Sequence, residues 1–282
     1  MSTEFSGNMK SQYMPQVRFR NLVFGILVKE KTRILLMFLY LFTNSAVIYW
    51  LSTYVVERTA HQVYANPNIV LYFRLLVISS PLIIGLLIGV PLLSTEYESG
   101  TYRFLFTQGV GRWRMVRTIF VIYFVSILLF SIMPLTSISQ FLSVQHEAGP
   151  LTIWSYAVFI SNPTIIIPLS LTAFTAGVFL GTIMRRVVPA IAAALLFAVL
   201  LTLTLQLALE KALFFFAQRI AGSSANPIVA YTNFVSSDDS RYLFQFQMIF
   251  GALLTILSLV LALGSMRALN NGGLFHRKLR HS

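Results

Sequence analysis

Nine acids, four histidines and twenty-one lysines and arginines are the titratable stock of this 282-residue chain. Their placement decides which chemistry is open. The histidines, His61, His146, His276 and His281, lie far apart and without the spacing of metal ligands. Cysteine is absent, which excludes disulfides, thiol chemistry and thiolate-held metals. No G-x-x-x-x-G-K-[ST] phosphate loop, H-E-x-x-H or G-x-S-x-G occurs. The expectation is a non-enzyme with no catalytic residue, no metal and no nucleotide held by this chain.

Polar groups concentrate instead in Ser94–Arg117, STEYESGTYRFLFTQGVGRWRMVR, between two long apolar runs. Glu96, Glu98, Gly100, Thr101, Tyr102 and Arg103 are followed by Arg112, Arg114 and Arg117. Thr95 and Glu98 have the spacing of a helix-start capping box. Tyr102, Leu105 and Phe106 stand at i, i+3 and i+4, and Gly109-Val110-Gly111 can stop a helix. A short helix with an aromatic face, flanked by acids and arginines, is chemistry for docking. The plain alternative is a polar loop in which Glu96 and Glu98 pair with Arg103 or Arg112, at the small value of exposed ion pairs.

The elements around this segment are membrane spans. Hydrophobic residues make up 56% of the chain and charged ones 11%, too few charges for a soluble surface. Charge-free runs cover Ile34–Val56, Leu75–Thr95, Thr118–His146, Ala148–Met184, Val187–Leu209 and Tyr242–Met266. About 20 apolar residues cross the hydrocarbon core as a helix. The expected spans are Ile34–Trp50, Ile69–Leu93, Thr118–Phe141, Thr164–Met184, Val187–Leu209 and Phe246–Met266. The predicted fold is an all-α membrane protein of six transmembrane helices. Residues 1–33 form a cytoplasmic N-terminus, 34–266 the transmembrane domain and 267–282 a basic cytoplasmic tail. Alternating the spans from a cytoplasmic N-terminus puts 16 lysines and arginines inside and 5 outside. That asymmetry predicts a multi-pass protein with both termini in the cytoplasm. The net charge of +12 is thereby a topology signal and a match for anionic headgroups, with no nucleic-acid partner.

Pro15 opens QVRFRNLVFGILVKEKTR, whose Phe19, Leu22, Val23, Ile26 and Leu27 recur at helical spacing opposite Arg18, Asn21 and Lys29. This predicts an amphipathic helix on the membrane surface; the alternative is the inner end of the first span. Arg18, Lys29, Arg112, Arg114 and Arg117 are expected at headgroup level. Pro134 predicts a kink in the third span. Trp50, Tyr49, Tyr54, Trp113 and Trp154 fall where aromatic belts lie. The long external segment 210–245 carries Leu213–Phe216, too apolar for a solvated loop. It is expected to dip back into the bilayer or to pack on the bundle as a small helix. Arg74 is the one charge inside the expected spans, near an outer end from which it can snorkel.

The segment resembles the loop between spans two and three of the permease subunits of type-2 ATP-binding-cassette transporters, mostly bacterial exporters. Their pattern, E-x-E-x-G-T, then leucine, threonine and an arginine at the next helix start, is matched by Glu96, Glu98, Gly100, Thr101, Leu105, Thr107 and Arg112. Where that family has proline and serine before the arginine, this chain has Gly109-Val110-Gly111. The six-span plan, the amphipathic start and the long last external loop extend the resemblance. It implies a coupling helix in 94–117, with Glu96, Glu98, Gly100, Thr101, Tyr102 and Arg103 at the contact with a separate ATPase subunit. It further implies two ATPase copies binding ATP and Mg, a second permease, identical or related, and a bacterial cytoplasmic membrane. The implied activity is export of a hydrophobic or amphipathic substrate, such as a peptide, antibiotic or lipid. An ion-coupled or Na⁺-exporting permease and a non-transport scaffold are the competing readings. The residues that touch substrate are not legible.

Overall fold

The structure, a computed structural model, describes residues 19–57, 76, 79, 81, 83–100, 112–146, 162–221 and 240–278. Among these residues all regular structure is helical. We label the helices α1 (Phe19–Glu57), α2 (Val90–Glu98), α3 (Arg112–His146), α4 (Pro163–Met184), α5 (Val187–Ala221) and α6 (Ser240–Lys278). Five of them, all but α2, contain a stretch long and apolar enough to cross a membrane.

Helix α1 buries Ile26, Glu30, Met37, Leu41, Asn44, Ile48 and Leu51, a face recurring every three or four residues, and exposes Leu35, Leu36, Leu39 and Phe42. Apolar exposure of this kind is expected where lipid is the solvent. At 1.5 Å per residue its 39 residues run about 58 Å, roughly twice the hydrocarbon thickness. The helix is continuous from Phe19 onward. The segment expected as a surface helix is continuous with the first span, as in the alternative reading: no proline interrupts the KEKTR stretch, and Glu30 gives Arg33 a counter-charge on the same helix.

The expected second span, Ile69–Leu93, is described only in part. Helix is continuous from Ile83, and Gly85–Gly89 forms one π-helical turn closed by the Val90 N–H on the Gly85 carbonyl. This turn and α2 lie against α4 at backbone distance. A Cβ on Gly85 would stand 2.6 Å from the Ala173 carbonyl oxygen, and one on Gly181 would stand 2.6 Å from that of Val90. Gly85 and Gly89 on one strand of helix thus meet Gly177 and Gly181 on the other, a small-xxx-small crossing on both sides.

Helix α4 is the hub. It packs on α2 and the π-helical turn, on α3, α5 and α6, and 67% of its span is buried, against 17% for α5. Asn162 caps its start by accepting the Thr164 N–H at 3.0 Å. Thr172 donates to the Leu254 carbonyl of α6 at 2.9 Å. Helix α3 continues through Pro134 as one element. Helix α5 runs through Leu213–Phe216 to Ala221, so that apolar stretch continues the fifth helix beyond its span and is not a separate helix. Helix α6 likewise continues past Met266 to Lys278. The expectations for Arg18, Arg74 and Trp154 fall outside the described residues.

Candidate coupling site at the charged end of the bundle

Helix α2 ends in a defined stop. The Ser99 N–H bonds the Thr95 carbonyl at 2.9 Å and the Gly100 N–H bonds that of Tyr97 at 3.3 Å. Gly100 takes a φ of +71°, the left-handed geometry that glycine adopts without steric cost. Sequence reasoning put a helix start here, with Thr95 and Glu98 as a reciprocal cap. The structure corrects this. Thr95 lies inside α2, its hydroxyl donating to the Pro91 carbonyl, and Glu98 caps a different helix. Glu98 Oε2 accepts the Val187 N–H at 3.2 Å, at the first residue of α5. A carboxylate there satisfies a free backbone donor and complements the helix dipole.

Around this end the side chains tie four helices together. Lys29 of α1 forms an ion pair with Glu96 of α2. Arg33 Nη2 donates to Thr95 Oγ1 at 3.2 Å, and its Nη1 to Glu30 Oε2 at 3.0 Å. The Glu30 side chain is 5% exposed, and the same oxygen accepts the Tyr123 hydroxyl of α3 at 2.8 Å. Arg185, in the left-handed turn between α4 and α5 (φ 55°), lies 5.6 Å from the centre of the Tyr97 ring. The end of α2 is thereby joined to α1, to the α4–α5 turn and, through Arg33 and Glu30, to α3.

Of the residues singled out from sequence, Glu96, Glu98, Gly100 and Lys29 come together here. Arg117 is exposed near the start of α3, which Arg112 opens and which includes Arg114. Thr101, Tyr102 and Arg103, with Leu105, Phe106 and Gly109–Gly111, lie outside the described residues. Sequence reasoning missed Glu30, Arg33, Tyr123 and Arg185. A signal for Glu30 existed: it occupies the face of α1 otherwise held by Ile26, Met37 and Leu41. An acid at that register must find a partner inside the bundle.

Residues 47–210, more than half of the chain, match the family described as ABC-2 membrane transporter related, and the chain belongs to that family. It is a multi-pass membrane protein of the permease type, and its family implies an ABC ATPase as partner. The matched residues include α2, Tyr123 and Arg185, whereas Lys29, Glu30 and Arg33 precede them. No curated protein and no solved structure matches the chain.

Proposed function

We propose that this chain is the permease of an ATP-driven exporter of the bacterial cytoplasmic membrane, with six spans and both termini inside. It moves a hydrophobic or amphipathic substrate, and a separate ATPase docked on segment 94–117 supplies the work. The observation that carries this reading is the bonding of the α2 end to its neighbours. A push on Ser99 or Gly100 reaches α1 through Lys29–Glu96 and Arg33–Thr95, and α5 through Glu98. It reaches α4 through the glycine crossing, where backbones touch and leave no slack. Two permeases and two ATPases make the working unit. Nucleotide-driven closure of the ATPases shifts the membrane bodies between inward- and outward-facing states.

Glu96 and Glu98 stand at the ATPase contact while holding α2 to Lys29 and to α5. Charge reversal at both, Glu96→Lys with Glu98→Lys, is expected to abolish permease-stimulated ATP hydrolysis and to weaken co-purification of the ATPase, while the permease still folds. Unchanged assembly and stimulation in that variant would remove the docking assignment.

A further inference from the structure

Helix α1 carries a second polar cluster, remote from the charged end. Asn44 lies eleven residues beyond Arg33, about 16 Å along the helix and inside the apolar span Val23–Leu51. It is 4% exposed. Its Nδ2 donates to the Leu76 carbonyl at 3.2 Å and to the Tyr40 hydroxyl at 3.3 Å. The Tyr40 hydroxyl lies 2.9 Å from Ser79 Oγ, which donates to the Leu76 carbonyl at 2.9 Å. Ser79 has one proton, spent on Leu76, so the Tyr40 proton goes to Ser79. Ser45 alongside spends its own on the Leu41 carbonyl. Every donor of the cluster is thus committed, and Asn44 Oδ1 has no hydrogen-bond partner among the described residues. Turning the amide over does not help, because the Leu76 carbonyl would then face an oxygen.

A buried amide oxygen within an apolar span, with all neighbouring donors used, is an acceptor that wants a donor from outside the cluster. Leu76 and Ser79, which bound the cluster on one side, are only half-buried. A single neutral oxygen suits one O–H or N–H; it cannot replace the shell of several oxygens that a bare alkali cation needs. It offers nothing to an anion.

We propose that Asn44 Oδ1 is a recognition point for the hydrogen-bond-donating head, hydroxyl or amine, of an amphiphile whose apolar part lies along the bundle. The cluster supplies acceptors only, so it selects molecules with a donor over otherwise equal molecules without one. Calling such a molecule cargo rests on the permease reading above; its binding does not.

The test uses the full chain in lipid nanodiscs, without nucleotide or ATPase, carrying Trp113→Phe and Trp154→Phe. Trp50, six residues beyond Asn44 on α1, is then the sole tryptophan. Quenching of Trp50 is titrated with 11-bromo-1-undecanol and with its methyl ether, at equal membrane concentrations. The alcohol is expected to bind about tenfold more tightly, the worth of one hydrogen bond in an apolar site. Asn44→Leu is expected to erase that preference, and Ser79→Ala, which keeps the amide oxygen, to retain it. Equal binding of alcohol and ether to the parent chain would overturn the proposal, as would an undiminished preference in Asn44→Leu. The alcohol–ether comparison decides the matter even if Asn44→Leu fails to fold. Failure here would leave ATPase coupling untouched, and loss of coupling would leave this binding intact.

Discussion

The contact of α2 with α4 and the contact of α2 with α1 hold the same short helix by opposite means. Toward α4, the π-helical turn and the start of α2 come to backbone distance, with Gly177 against Gly85 and Gly89 and Gly181 against the Val90 carbonyl. Toward α1 it meets Lys29 and Arg33 with Glu96 and Thr95, long side chains around a buried carboxylate. The first contact has one geometry, because dispersion falls away within an ångström of separation. The second can lengthen, exchange partners or take up water. On the proposed coupling role, a segment that moves with α4 yet answers to a partner outside the membrane uses both kinds.

This contrast can be broken or sharpened by substitution. The largest effect is expected from Gly177→Leu, which drives a side chain into the backbone of Gly85 and Val90. Overpacking typically costs about 1–3 kcal/mol, and backbone on the facing side puts this case at or above the upper end. The variant should lose its monodisperse folded peak in detergent. Glu30→Leu comes next: it removes the counter-charge of Arg33 and strands the Tyr123 hydroxyl, and the partial exposure of Arg33 lowers the usual buried-pair cost to about 2–3 kcal/mol. Thermal unfolding in nanodiscs should show the drop, with Glu30→Gln about half as damaging because the amide oxygen still accepts from Tyr123. Thr95→Val should cost about 1 kcal/mol for its hydrogen bond with Arg33. Lys29→Ala should cost less than about 1 kcal/mol, since the lysine is 43% exposed. Raising the salt should shrink the Lys29→Ala difference and leave that of Gly177→Leu unchanged. Equal salt sensitivity in the two would erase the distinction between the contacts.

Much of the membrane body was legible because hydrocarbon tolerates few charges, so charge-free runs mark helices. Met184 and Val187 bound α4 and α5 as the Arg185–Arg186 pair suggested. Lengths beyond the core were only partly legible: the helical spacing from Phe19 to Leu27 was visible but not its continuity with the first span, and nothing in the hydropathy pattern carries α6 past Met266. The local rule that made Thr95 and Glu98 a helix start failed because a tertiary partner outbid it. Glu98 serves the Val187 N–H, 89 residues away. The π-helical turn was hidden for the same reason, its glycines being placed by Ala173 and Phe174 across the interface.

The central claim, that the end of α2 faces a motor inside the cell, has a direct measurement. The chain has no cysteine, so Ser99→Cys is a unique label site at an exposed helix end. In inside-out vesicles a membrane-impermeant maleimide should label it, and adding the ATPase with non-hydrolysable nucleotide should protect it. Labelling only in right-side-out cells, or labelling indifferent to the ATPase, would contradict the account.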